Sequence, residues 1–166
     1  MKVATLILNR NLPEVTNRLY EQIRKNDDVL TDIYVIEAGS DKDKLSKYTT
    51  WHATWDAAIA EGLRYNRGMN YGLSQLYKEG RFDCYDAFLL LTNDTEFEDR
   101  DNIRILTDVL DKLNNNQELS TAETQYLQTQ KAALDVVGSI LTGPAADNVR
   151  ELTQVLSTVS GLDQQF

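Results

Sequence analysis

The chain has 166 residues, 42% hydrophobic and 26% charged, which fits one globular domain, or one domain with a small appendage, and excludes general disorder. A formal charge of −9 excludes non-specific binding to nucleic acid or to anionic membranes, because both need a basic surface. The single cysteine, Cys84, rules out an intrachain disulfide and a cysteine-rich zinc site, and it is expected to pack inside as a small apolar residue.

The chain shows no basic-then-apolar leader and no apolar stretch of about 18 residues, so the expectation is a cytoplasmic protein without a membrane span. Lys2 to Asn9 reads as a buried strand, stopped by Asn9-Arg10-Asn11-Leu12-Pro13. Pro13 can open a helix at its first turn. From Glu14 the apolar positions Val15, Leu19, Tyr20 and Ile23 recur at helical spacing until Asn26-Asp27-Asp28. A second strand, Asp32 to Ile36, leads into Glu37-Ala38-Gly39-Ser40-Asp41. Strand, helix and strand in this order predict a right-handed parallel unit, with Asn9/Arg10 and Glu37 to Asp41 side by side on one rim. A carboxylate on such a rim commonly takes a ribose hydroxyl or a base edge, although the Gly- and Ser-containing turn reads equally well as a solvated loop.

Lys42 to Glu61 is mixed, with Tyr48, Trp51, His52 and Trp55 close together. Such aromatic clusters more often plug a core edge than bind a ligand. His52 is the only histidine, which rules out a multi-histidine metal site, and no role is assigned to it. Gly62 to Leu73 carries Gly68 and Gly72 with Arg64 and Arg67, then the helix-like Ser74 to Tyr77. Two glycines four apart admit a phosphate or another backbone, and equally permit close packing of a helix on a sheet. No Gly-Lys-Ser/Thr follows, so this is not a Walker loop.

Asp86 to Glu96 is the most informative run. Ala87-Phe88-Leu89-Leu90-Leu91 is continuously apolar, which suits a parallel strand covered on both faces. In open α/β sheets ligands gather beyond the carboxyl ends of such strands, where Asp94 stands. Asp94 with Glu96 suits a hard divalent cation, Mg2+ or Mn2+, that could hold a diphosphate. Taken alone, Asn93-Asp94-Thr95 also reads as a turn closing a strand.

In this order the segments resemble the nucleotide-sugar-binding half of family 2 glycosyltransferases with the GT-A fold, over about the first hundred residues. The strand ending in Asn9-Arg10 resembles the family's first strand and nucleotide-contacting loop. Val35 to Asp41 is similar to the strand that ends in an acidic residue and a turn with Ser and Asp, which implies that Glu37 contacts the uracil or ribose and that Ser40 lies at the nucleotide. Arg64 to Leu73 resembles the glycine- and asparagine-containing helix start near the nucleotide, implicating Arg67 and Asn70. Leu89 to Glu96 resembles the metal-binding Asp-x-Asp strand in an Asn-Asp-Thr form. By that match Asn93 lies at the nucleotide, and Asp94, the one residue that clearly matches the metal motif, holds the Mn2+ or Mg2+ that bridges the donor's diphosphate, with Asn93 and Glu96 able to assist.

The resemblance implies transfer of a sugar from a nucleotide-diphosphate sugar to an acceptor. The sequence departs from the family pattern in Glu37, where Asp is usual, and in having no recognisable general base downstream of the metal motif. Two alternatives therefore stand beside the transferase: a nucleotide-sugar-binding module without catalysis, and an oligomerising structural protein on the same scaffold.

The expected division is a GT-A-like, Rossmann-like α/β domain over 1–116, a mostly parallel sheet flanked by helices, and a C-terminal helical hairpin over 117–166. Asn102 to Leu113 is helical by its apolar spacing, and Asn114-Asn115-Asn116 breaks it. Ser120-Thr121-Ala122-Glu123 forms a capping-box pattern that opens a helix through Leu141. A competing reading makes Leu134 to Leu141 a strand. After Thr142-Gly143-Pro144, Val149, Leu152, Leu156 and Val159 form a one-sided stripe, which calls for packing on the sheet or on a second copy in a homo-oligomer.

Overall fold

The computed structural model describes residues 1–27, 30–97, 101–115, 117–125 and 128. The chain divides into two compact units, Met1–Arg104 and Ile105–Phe166, with the division inside a helix. The expected boundary at 116/117 lies after that helix.

The first unit is an all-parallel α/β sheet flanked by helices, the Rossmann-like class expected from the sequence. Strands β1 (Val3–Asn9), β2 (Thr31–Glu37), β3 (Thr49–His52) and β4 (Ala87–Thr92) lie in the order β3-β2-β1-β4. Helix α1 (Pro13–Asp27) opens at Pro13 and joins β1 to β2. Its Leu19 and Ile23 pack on Val3, Ile7, Val35 and Leu91. Helices α2 (Asp56–Glu61) and α3 (Tyr65–Lys78) lie between β3 and β4. Met69 and Leu76 of α3 pack on Ala4, Leu6, Tyr34 and Ile36, the side chains that alternation turns to the other face. Two faces covered by helices account for the nearly unbroken apolar reading of β1.

Strand β3 falls within the stretch read only as mixed, and it joins β2 through an irregularity between Val35 and Ile36. The aromatics of that stretch stack singly: Tyr48, just before β3, on Tyr20 at 3.8 Å, and Trp51 on Tyr34 at 5.0 Å. Helix α3 starts at Tyr65, so Gly68 and Gly72 sit inside the helix and not ahead of it. A Cβ at Gly68 would lie 2.3 Å from Leu8 Cδ1, and one at Gly72 would lie 2.3 Å from Ile36 Cδ1. The packing alternative for this pair is thus what the fold uses. Strand β4 is an edge strand among the described residues, pairing only with β1, and Ala87 to Leu90 are half-buried. Cys84 is exposed, contrary to expectation. It ends a one-turn 3-10 segment, Phe82–Cys84, and Phe82 fills the apolar position there by stacking on Phe88 at 4.7 Å.

At the N-terminal edge of the sheet Tyr85 donates to Asp32 Oδ2 at 2.7 Å and shares a hydrogen bond with the Tyr34 hydroxyl. Lys2 Nζ lies 3.2 Å from the same Asp32 oxygen. Burial, and then hydrogen bonds to Tyr34 and Asp32, push the Tyr85 phenol far above its ordinary range.

Helix α4 (Asn102–Asn114) begins in the first unit, where Ile103 N–H donates to the buried Asp27 carboxylate at 2.9 Å. In the second unit the capping box forms as expected. Ser120 N–H donates to Glu123 Oε2 at 2.7 Å, Glu123 N–H donates to Ser120 Oγ at 3.3 Å, and residues 121–125 are helical. Lys112 Nζ, 2.6 Å from Glu123, and the Ser120 amide hold that carboxyl below the usual range. The expected hairpin, the competing strand and the Val149–Val159 stripe lie outside the described residues. Among the described residues no helix is long and apolar enough to cross a membrane.

Candidate functional site at the strand ends

Helix α1 covers one face and α3 the other, and β1 lies between β2 and β4. The chain runs outward from β1 through β2 to β3 and then crosses back to β4 on the other side of β1, which makes the crevice beyond the ends of β1 and β4 its topological switch point. Asn9, Arg10, Asn93 and Asp94 stand at these two ends.

A hydrogen-bonded network crosses the whole strand-end rim. Asn9 and Glu37 are register partners, and Asn9 Nδ2 donates to Glu37 Oε2 at 2.8 Å. The Ser40 hydroxyl donates to the same oxygen at 2.6 Å. Glu37 Oε1 accepts from Ser46 N–H and from the Thr49 hydroxyl, each at 2.8 Å. Asn93 Nδ2 donates to Asn9 Oδ1 and to Thr16 Oγ1, each at 3.2 Å. The carboxyl ends of β1 and β2, the loop after β4, and the start of β3 with the loop before it contribute.

Asn9 and Glu37 are both 0% exposed. Asn9, Ser40 and the Ser46 N–H donate to the Glu37 carboxylate, and the Thr49 hydroxyl divides its one hydrogen between it and the Ser46 carbonyl at 2.6 Å, so the carboxylate is closed to a base or ribose unless this network opens. The strand order places Glu37 on the rim beside Asn9, but its burial is not legible in the sequence, because Ser46 reaches it from the loop before β3 and Thr49 from the first residue of β3, neither of which carries a motif. Ser40 is also buried, and its Oγ accepts from Asn11 N–H at 3.1 Å. Gly39 makes this turn possible. Its φ is +81°, and a Cβ would lie 1.8 Å from the Ala58 carbonyl oxygen of α2.

The remaining predicted residues are exposed. Arg10 donates from Nη1 to the Glu61 carbonyl and lies against Gly62. Arg67 lines an open depression of about 590 Å3 with Glu61, Arg64, Tyr65 and Asn66. Tyr65 ties that depression to β4 by donating to the Leu90 carbonyl at 3.0 Å. Asn70 lines a different groove, with Leu73, Ser74, Tyr77, Lys78 and Phe82, and is not brought to the network.

Asp94 is exposed and has no hydrogen-bond or ion-pair partner among the described residues. Glu96 is 3.7 Å from Arg18 in an exposed pair, the kind that water screens strongly. Among the described residues no three His, Cys, Asp or Glu side chains converge as a metal cage. One free carboxylate nevertheless suits Mg2+, which keeps several waters and is commonly held by one or two carboxylates plus substrate phosphates. Comparison with protein-family models, with curated proteins and with solved structures finds no match to this chain.

Proposed function

We propose that the chain binds a nucleotide-diphosphate sugar in the crevice beyond β1 and β4 and transfers the sugar to an acceptor, as a glycosyltransferase of the GT-A type. The observation that carries this reading is the unpartnered Asp94 carboxylate at the switch point of a β3-β2-β1-β4 parallel sheet. Asp94, with Glu96 released from Arg18, would hold Mn2+ or Mg2+ together with the diphosphate. The cation supplies neutralisation of charge on the leaving diphosphate. The rim itself supplies orientation, through Asn9, Ser40 and Asn93 held in one network. Arg10 and Arg67 add positive charge beside an otherwise acidic protein, and Asn70 belongs to a separate groove.

A binding module without catalysis is the second reading. It is favoured by the state of Glu37, a rim carboxylate that is 0% exposed and enclosed by internal donors, and so out of reach of an acceptor hydroxyl. Calorimetric titration with UDP, GDP and ADP, with and without Mn2+, tests the shared part. Cation-dependent binding by the wild type that Asp94→Asn removes is the expected result. Release of the nucleotide from a labelled donor sugar then separates the transferase from the module.

A further inference from the structure

The rim network has a direction. Its two ends are groups whose hydrogen-bonding sense cannot reverse: Glu37, which as a carboxylate only accepts, and the Leu12 backbone N–H, which only donates. Asn9 spans them. Its Oδ1 accepts from Leu12 N–H at 3.2 Å, so its Nδ2 must face Glu37, as it does at 2.8 Å. Asn9 Oδ1 is then also what Asn93 meets, and Asn93 must answer with Nδ2, at 3.2 Å. Thr16 agrees with this sense, because its hydroxyl donates to the Leu12 carbonyl at 3.1 Å and is left to accept from Asn93. The Asn93 carboxamide is fixed with Oδ1 turned away from Asn9 and Thr16. That oxygen has no protein partner among the described residues, and it is not among the buried unsatisfied atoms.

We propose that Glu37 is a positioning residue which, through Asn9, holds Asn93 with its Oδ1 facing the crevice, as a second oxygen ligand next to Asp94 for the divalent cation of a bound nucleoside diphosphate. The cation part rests on the function proposed above. The relay itself does not. An amide oxygen is a normal ligand for such hard cations, and outer groups that orient a ligand matter nearly as much as the ligand.

The relay makes an unusual statement about substitutions. Glu37→Gln keeps shape but introduces an NH2. On the Oε1 side that group would meet the Ser46 backbone N–H, which cannot turn; on the Oε2 side it meets Asn9, whose carboxamide can. Asn9 then reverses, Leu12 N–H loses its acceptor, and Asn93 reverses in turn, presenting Nδ2 to the crevice. Adding Asn93→Asp to this variant restores an oxygen there, because one carboxylate oxygen accepts from the reversed Asn9 and the other faces out.

The test combines two measurements on the full chain. The backbone amide of Leu12 and the Asn9 and Asn93 carboxamides are followed by NMR without ligand, and Mn2+-dependent binding of UDP, GDP and ADP is titrated. Glu37→Gln should shift the Leu12 amide and weaken the Mn2+-dependent binding by about tenfold or more. The double variant Glu37→Gln/Asn93→Asp should bind within about threefold of wild type, a rescue that a merely structural role would not give. An unmoved Leu12 amide, or a double variant no better than Glu37→Gln, overturns the proposal. Absence of binding by the wild type overturns the functional reading and Asn93 as a ligand, while the Leu12 signal still decides the relay. If Glu37→Gln does not fold, Asn93→Asp alone decides. The relay sets a carboxylate oxygen against Asn9 Oδ1 and predicts no gain in Mn2+ affinity, and a gain overturns it.

Discussion

Asn9 and Glu37 face each other across neighbouring parallel strands and share a 2.8 Å hydrogen bond in a site that is closed to water. Each completes the other's hydrogen bonding, so removing one strands the groups around it. Asn9→Ala leaves Leu12 N–H, Asn93 Nδ2 and one Glu37 oxygen short of a partner, and should cost about 2–4 kcal/mol in urea denaturation. A loss below about 0.5 kcal/mol would show that water fills the site at little cost.

At the open end of the same crevice the expectation reverses. Asp94 is exposed and contributes nothing to the core, so Asp94→Asn should change stability by less than about 0.5 kcal/mol. It should nonetheless abolish the Mn2+-dependent part of nucleoside diphosphate binding. Titration of both proteins at equal Mn2+ concentration checks this, and equal affinity would remove Asp94 from the site.

Gly72 offers a test of the packing between α3 and the sheet. A Cβ there would lie 2.3 Å from Ile36 Cδ1 and 2.9 Å from Leu6 Cδ2, and both side chains are fully buried with little room to move. Overpacking of this kind costs about 1–3 kcal/mol, against a gain of about 1 kcal/mol in helix propensity. Gly72→Ala should therefore be destabilising in thermal melts. A raised melting temperature would mean that α3 sits farther from β1 and β2.

The opposite edge of the sheet carries a pH dependence. The hydrogen bond from Tyr85, followed by Lys2 and Arg81, holds the Asp32 carboxyl below its ordinary value of 3.8 against the opposing effect of burial. A carboxyl lowered on folding stabilises the protein above pH 3.8, and that stability is lost as pH falls through the folded-state value. Tyr85→Phe removes the largest cause. It should lower stability near neutrality by about 1 kcal/mol and flatten the fall in stability below pH 4. Denaturation curves at stepped pH would show an unchanged acid limb if Asp32 owed its shift to the cations instead.

The elements legible in the sequence are those whose pattern is local. β1, α1, β2, β4 and α4 each carry their own periodicity, and the Ser120–Glu123 box states its geometry in four residues. β3 was not legible, because Thr49–His52 is a strand only by virtue of β2, to which it joins across an irregularity. The role of Gly68 in α3 stayed open in the sequence, since a phosphate approach and close helix packing call for the same residue, until Leu8 is seen beneath it. Within the site, the adjacency of Asn9 and Glu37 followed from strand order alone. The closure of Glu37 did not, since two of the groups around it come from residues nine and twelve positions later.

The pairing of β1 with β4 has a consequence for synthesis. Val3 is the partner of Ala87 and Leu8 of Thr92, so during synthesis β1 waits for β4, its partner more than eighty residues later. At ordinary translation speeds that wait is roughly 4–17 s. Throughout it, Val3 to Leu8 has one strand edge that only β4 can cover. A nascent chain stalled before Ala87 therefore carries a nearly all-apolar strand with an uncovered edge, the kind of edge that pairs with other chains.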